Sequence, residues 1–301
     1  MHESDEIFEE ENPIFTLTDQ EGQELSFLLD ATLEFQGKLY AVLYPYDPEQ
    51  GEILHSHGGL TYGGFLTGNG MKQHIMNECM DALIRYSREK GFRRIIYKTV
   101  PYVYHLQPAE EDRYALYANG GRLITVDAST YVDLKEPLKM PKGRRAQISR
   151  ARREGVRIEV LTELKDYETF IGIENEVLES RHHTRAVHTA AELKMLRDRF
   201  PENIHLFGAL KDGKLIAGVV IYEYDRMIHT QYMGANAEAR VIGALDLTVY
   251  TIMEEYRTRK KWLDFGISTE HDMIYLNEGL IAQKESFGGR TGVYETWELT
   301  L

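Results

Sequence analysis

The 301-residue chain has one cysteine, two tryptophans and eight prolines, and it contains no run of about 18 apolar residues. Each scarcity excludes something. A lone Cys79 cannot form an internal disulfide and fits a reducing cytoplasm; on an apolar helix face it reads as a small core residue. Without a long apolar run, no helix is expected to span a membrane. The first residues are acidic and lack an apolar stretch, so they do not read as a signal peptide. The expectation is a cytoplasmic protein.

Positive charge is also scarce where the chain begins. Residues 1–50 hold thirteen Asp or Glu against one Lys, Lys38, which accounts for −12 of the net −13 and leaves the other 251 residues at −1. The acidity belongs to an opening segment, and the body is nearly neutral. Residues 1–12 lack the apolar content to form a core and are expected to be disordered. Residues 13–50 read as an acidic β-rich opening. Its runs at Ile14–Leu17, Leu25–Leu29 and Leu39–Leu43 are bounded by turn residues at Glu21-Gly22 and Gln36-Gly37. With 43% hydrophobic residues, the chain can bury one large core or two medium ones.

The second half reads as β-α-α-β-β-β-α-β-α-β. A strand at Val156–Leu161 precedes helices at Asp166–Ser180 and Ala190–Phe200. Strands at His205–Lys211, Lys214–Tyr224 and Met227–Ala235 form a meander, with turn residues at Lys211-Asp212-Gly213 and near Asp225. A helix over Gly243–Arg259, a strand from Trp262 to Phe265, a helix over Asn277–Phe287 and a strand over Gly292–Leu299 complete the order. The first half repeats its later part. Gly37-Lys38-Leu39 and Gly213-Lys214-Leu215 each start a strand, and Gly120-Gly121-Arg122 and Gly288-Gly289-Arg290 each precede closing strands. The two offsets, 176 and 168 residues, differ by one eight-residue insertion. Between the halves, Lys139 to Arg157 hold eight Lys or Arg and one acid, Glu154, in a stretch expected to be helical from Gly143 to Glu154. This is either a solvated inter-domain helix or a patch for the phosphates of a nucleotide-linked substrate, coenzyme A or RNA. The lack of interleaved aromatics argues against stacking of single-stranded RNA.

Several polar residues stand out from this framework. Lys284 falls near the end of an otherwise apolar helical segment, where it is either a solvated lysine or a buried one with a partner. On the strand Met227–Ala235, alternation puts His229 and Gln231 on one face and Thr230 and Tyr232 on the other. Polar residues on both faces of a central strand suit a site. The cluster His182, His183 and His188 is interleaved with Arg181 and Arg185 and has no nearby Cys or paired carboxylate, so no metal is expected. Thr189 and Glu192 form a capping-box pattern. Four glycines around His57 and Tyr62 permit close backbone approach to a ligand, and Tyr102, Tyr104 and His105 form a polar-aromatic group.

The strand ending in Asp264-Phe265-Gly266, followed by a loop and a helix carrying Lys284-Glu285-Ser286-Phe287-Gly288, resembles the second half of the Fem-type acyltransferases, tandem members of the GNAT superfamily with F-K-x-x-F-G near the end. The segments HGGLTYGGF, YHLQPAEEDRYALY, VHTAAELKMLRDRFPENI and HTQYMGA extend the resemblance over roughly Gly51 to Leu301. Residues 13–50 resemble a small acidic bacterial family of unassigned function; Fem-type proteins usually open with helices instead. The resemblance implies a mixed α/β (α+β) fold of two GNAT-like domains. The first, over 51–138 with its first strand within 37–50, is partial; a basic inter-domain helix over 139–155 leads to a complete second domain over 156–301.

The same resemblance implies an N-acyltransferase of cell-envelope or polysaccharide biosynthesis. It would move an acyl group, in the first instance acetyl from acetyl coenzyme A, to an amine of a small or glycan-linked acceptor. Lys284 would stabilise negative charge on the donor or the tetrahedral intermediate, with His229 or His188 as general base. Gln231, Tyr232, Met233 and Asp264 would line the donor side. Arg240 and Gly243 keep part of a degenerate [QR]-x-x-G-x-[GA] pyrophosphate signature in Arg240–Leu245. His57, Tyr62, Tyr104, His105, His182 and Asn277 would meet the acceptor. Two alternatives stand beside this: transfer from aminoacyl-tRNA to a peptidoglycan peptide, which takes a tRNA partner, and a degenerate scaffold that recruits a basic partner through its acidic opening.

Deleting residues 1–12 is expected to leave the melting temperature unchanged, since their composition cannot build a core; a fall of several degrees on thermal unfolding would show otherwise.

Overall fold

The computed structural model describes residues 14–18, 24–35, 38–45, 53–57, 62–182, 186–270 and 275–301. The expected disordered stretch 1–12 lies outside them. The chain forms two compact units: residues 1–99, 110–124 and 296–301 in one, residues 100–109 and 125–295 in the other.

In the first unit, β1 (Ile14–Thr18), β2 (Glu24–Phe35) and β3 (Lys38–Pro45) form an antiparallel meander at the runs the sequence marks as strands. A separate sheet pairs β4 (Ile53–His55) in parallel with β5 (Arg94–Lys98). The end of β14 (Arg290–Thr300) lies antiparallel to β5. Helix α1 (Gln73–Glu89) carries Met76, Met80 and Ile84 at helix spacing and buries them against Ile95, Tyr97 and Leu299 and against Ala115 and Leu116 of α2 (Glu111–Ala118). Cys79 is half-buried and packs on this cluster. The Tyr97 hydroxyl accepts from the Phe65 N–H at 2.7 Å and donates to buried Asp112 at 2.9 Å, which fixes the glycine-bearing segment before α1.

The second unit carries, beside the start of β14, six strands in the order β6, β11, β10, β9, β8, β7. These are β6 (Arg122–Asp133), β7 (Arg157–Leu161), β8 (Ile204–Lys211), β9 (Lys214–Glu223), β10 (Met227–Ala235) and β11 (Trp262–Ile267). All neighbours are antiparallel except β10 and β11. One face carries α4 (Leu164–His182) and α5 (Ala190–Arg199), packed through Tyr167, Phe170 and Leu193 onto Leu206 and Val220. The other carries α7 (Ala244–Tyr256), which buries Val249, Ile252, Met253 and Tyr256 against Val219, Ile221, Ile228 and Leu263. The reciprocal capping box of Thr189 and Glu192 opens α5 as its sequence indicates.

Three features were not legible in the sequence. A short helix, α6 (Ala237–Ile242), capped by the Asn236 side chain, precedes α7. A small hairpin of β12 (Thr269–Glu270) and β13 (Tyr275–Leu276) leads into α8 (Glu278–Glu285). A bulge at Gln231 interrupts β10: Thr230 pairs with Ile221, but Tyr232 already pairs with Val220. The bulge corrects the expected alternation. Paired residues share a face, so Tyr232 lies with His229 on the α4 face, while Met233 joins Thr230 on the α7 face.

The basic helix α3 (Lys142–Arg153) packs on α7 and α6. Arg144 differs from the solvated arginine that its neighbours suggest. It ion-pairs with Asp246 of α7, donates from Nε to Ser286 Oγ at 2.8 Å and lies over the Phe287 ring at 4.2 Å. Burial lowers its pKa.

Between α6 and α7, Gly243 adopts φ +78°, and a Cβ there would sit 2.8 Å from the carbonyl oxygen of Gln147 in α3. Gly243→Ala should therefore cost about 2–3 kcal/mol, from left-handed strain and overpacking together. Urea unfolding checks this; a cost below about 0.5 kcal/mol, the ordinary surface range, would contradict it.

Candidate active site

The site is built where β10 and β11 separate. Their parallel register runs Met227–Trp262, Ile228–Leu263, His229–Asp264 and then ends. Beyond it β10 continues along β9 to Ala235, while β11 shifts register at Gly266, φ +72°, and pairs Ile267 with Ser129 of β6. Two strands that part at one residue pair leave an opening between them, and His229 and Asp264 stand at its apex.

Asp264 is fully buried and its carboxylate is saturated with donors. Oδ1 accepts from Ser129 Oγ at 2.6 Å and from the Gly266 N–H at 2.9 Å. Oδ2 accepts from His229 Nδ1 at 2.8 Å, from the Tyr104 hydroxyl at 2.7 Å and from the Tyr294 hydroxyl. Burial alone would raise this carboxyl, but His229 and the hydroxyl donors outweigh it and hold it down at about 2. The carboxylate therefore stays ionised. It also orients the histidine: in the neutral ring the nitrogen facing a carboxylate carries the proton, and the free lone pair is then on Nε2. Burial, followed by the charge of Asp264, pushes the Tyr294 and Tyr131 hydroxyls well above the usual phenol range.

Lys284 is not a surface lysine. It is 5% exposed, and Nζ donates to the carbonyl oxygens of Gly266 at 3.0 Å and Ile267 at 2.6 Å. The left-handed turn at Gly266 brings these two carbonyls together, and the same residue's N–H holds Asp264. Burial lowers the Lys284 ammonium to about 8, against the opposing pull of Asp264. Lys284 also borders a narrow crevice with Met233, Leu245, Phe265 and Phe287.

The other candidate residues distribute as follows. Tyr232, on the His229 face, bonds His188 Nδ1 at 2.7 Å and ties the chain before α5 to β10. His105 does not join the Asp264 cluster; its carbonyl accepts from Arg226 and its ring packs on Tyr102. Asn277 caps α8 through Leu280 N at 2.9 Å and donates to Glu270 at 2.7 Å, a structural use. Arg240 and Gly243 lie in α6 and at its end: their N–H groups are taken by the carbonyls of Asn236 and Ala239, and Arg240 Nη1 by Ala235 O. His57 and Tyr62 belong to the first unit, where the His57 ring, at φ +50°, lies against Gly63. The His182 side chain and His183 lie outside the described residues. Among the described residues, no three His, Cys, Asp or Glu are grouped to hold a metal ion, and no helix is long and apolar enough to cross a membrane.

Ser129 and Tyr294 were not legible as site residues in the sequence, and Gly266 was legible only as the glycine that ends a strand. Ser129 has a signal in retrospect: Ser129 and Thr130 are consecutive polar residues in the second half of β6, which is buried on both faces. Tyr294 has none, because a tyrosine in a strand is ordinary.

Residues 142–272 match the family described as acetyltransferase (GNAT) domain. Among solved structures, the chain is similar to FemX, at 12% identity and TM-score 0.61 over 96% of this chain and 88% of that one. It is also similar to the C-terminal domain (DUF2156) of a putative lysylphosphatidylglycerol synthetase from Agrobacterium fabrum, at 13% identity and TM-score 0.58 over 96% and 84%. L-PGS from Bacillus licheniformis matches at 13% identity and TM-score 0.58 over 95% and 84%. At these identities the likeness is one of fold. No curated protein matches the sequence significantly.

Lys284 generates a stability prediction. With a folded value near 8 and an ordinary value of 10.5, the unfolded chain keeps its proton in a range where the folded chain has released it. Stability should therefore rise between about pH 8 and pH 10.5, by at most about 3 kcal/mol. Urea unfolding of wild type and Lys284→Met across that range isolates the effect; a difference that stays flat with pH would refute it.

Proposed function

We propose that this chain, whose residues 142–272 match the acetyltransferase (GNAT) domain family, transfers an acyl group from an activated ester or thioester to an amine, with His229 as general base and Lys284 as the charge-stabilising cation. The observation that carries this reading is the geometry at the strand separation. A histidine oriented by an ionised carboxylate and a buried lysine flank one opening through the two sides of Gly266.

A lysine-like amine is ionised at pH 7, and removing its proton costs roughly 4–5 kcal/mol. His229 Nε2 accepts that proton as the amine attacks, and Asp264 stabilises the imidazolium that results. The carbonyl oxygen becomes negative in the tetrahedral intermediate. The Lys284 ammonium, desolvated and held by two backbone carbonyls, offers a positive charge for it, a role worth about 10²–10³ in rate where such a group is removed. Collapse of the intermediate expels the thiolate or alkoxide and leaves the amide. His188, bonded to Tyr232, is the weaker base candidate because its Nδ1 is already engaged.

For the donor, acetyl coenzyme A remains the reading that the domain family favours. One observation favours aminoacyl-tRNA instead: within the degenerate pyrophosphate signature the Arg240 and Gly243 amides are used inside α6 and at its end. The basic residues of α3 other than Arg144 would then serve a polyanion. The acceptor is an amine on a small or glycan-linked molecule. The burial of Lys284 beside an oriented histidine weighs against the scaffold alternative.

The test supplies purified protein with acetyl coenzyme A or with charged tRNA, together with amine acceptors, and follows donor consumption. Amine-dependent turnover of one donor is expected, with kcat reduced about 10²–10³-fold in Lys284→Met while far-UV circular dichroism is unchanged. A change below about twofold on removing Lys284 would overturn its role. Failure of both donors would overturn the reaction class.

A further inference from the structure

A second polar group on the same face of β10 is not used by this mechanism. Glu174 of α4 is 8% exposed, and its Oε2 is buried without a hydrogen-bond partner. Among the described residues no lysine or arginine forms an ion pair with it. Burial raises its carboxyl to about 7. An isolated buried carboxyl contributes nothing to folding and costs desolvation, so its presence calls for a use.

The surroundings suit a cation. Glu174 sits over Gly234, where a Cβ would lie 2.5 Å from Oε2, so a side chain at 234 would displace the carboxyl. Gly218, paired with Gly234, likewise makes room for Phe170, and α4 approaches the sheet closely at this point. Because of the bulge at Gln231, Tyr232 lies on this face, and its hydroxyl is raised first by burial and further by Glu174. Tyr222, paired with His229, is on this face too. A carboxylate beside aromatic rings, close to a proton acceptor for one amine, fits a second amine in its ionised form.

We propose that Glu174 is the anion of an ammonium subsite on the α4 face of β10. The acceptor is then a diamine-like molecule, one amine meeting His229 and the other held by Glu174 beside Tyr232 and Tyr222. This rests on the reading of His229 as the acceptor's base. His229 and Gly234 pair with Tyr222 and Gly218, four residues apart on β9 and so about 13 Å along an extended strand, which makes the acceptor elongated.

Isothermal titration of the purified full chain with 1,8-diaminooctane and with 1,8-octanediol tests the subsite without any acyl donor. The two probes differ only in ammonium against hydroxyl at the ends. Wild type is expected to bind the diamine at least about tenfold more tightly. Glu174→Gln should abolish the preference while keeping or raising the melting temperature. If that variant does not fold, Glu174→Met, similar in length and apolar, replaces it, and the wild-type ratio stands on its own. Equal binding of the probes, binding of neither, or a preference that survives removal of Glu174 overturns the proposal. Acyl transfer to monoamines with equal probe binding would sink the subsite and leave the transferase standing. A diamine preference lost in Glu174→Gln, in a protein that turns over neither donor, would do the reverse.

Discussion

The buried carboxylate of Asp264 is the interaction on which the site depends. Alone, it would be an expensive group to hold at full burial. It is stable because donors converge on it from four strands and a loop: Ser129 of β6, His229 of β10, Gly266 of its own strand, Tyr294 of β14 and Tyr104 of the loop before α2. Each donor satisfies the charge, and the charge fixes each donor. The tautomer of His229, the position of the Gly266 turn and hence the pair of carbonyls that receives Lys284 all follow from it.

The opening beside this carboxylate comes from backbone geometry. A left-handed glycine turns β11 away just after Asp264, and a bulge in β10 two residues after His229 changes which side chains face which helices. The bulge sorts Tyr232 to the α4 face, with His188 and Glu174, and Met233 to the α7 face, with the crevice beside Lys284. The groups around His229 and those lining the crevice beside Lys284 are thereby divided between the two faces of one sheet. Arg144 joins α3 to α7 and α8.

Much of the second unit was legible because its periodicities are strong. The strands of the meander, α4, α5 and α8 fall within a few residues of their expected bounds, and Thr189 with Glu192 announces the start of α5. Helix α6 was not legible: its six residues are too few for a hydrophobic period, and its cap, Asn236, is also an ordinary turn residue. The bulge was equally hidden, since nothing in Thr230-Gln231-Tyr232 marks which residue lacks a partner on β9.

The sequence by itself determined the chemical inventory. It placed Lys284 on a helix, His229 in a central strand and Asp264 at a strand's end, and it confined the excess negative charge to the opening segment, because residue type and local period are local properties. Only the tertiary structure decided what those groups are. Lys284 became a buried cation rather than a solvated one, Arg144 a structural tie rather than part of a free basic patch, and Glu174 a buried acid whose Oε2 finds no hydrogen-bond partner among the described residues. Burial and charge pairing depend on which distant strands and helices are brought together, and a buried group's protonation follows from those neighbours.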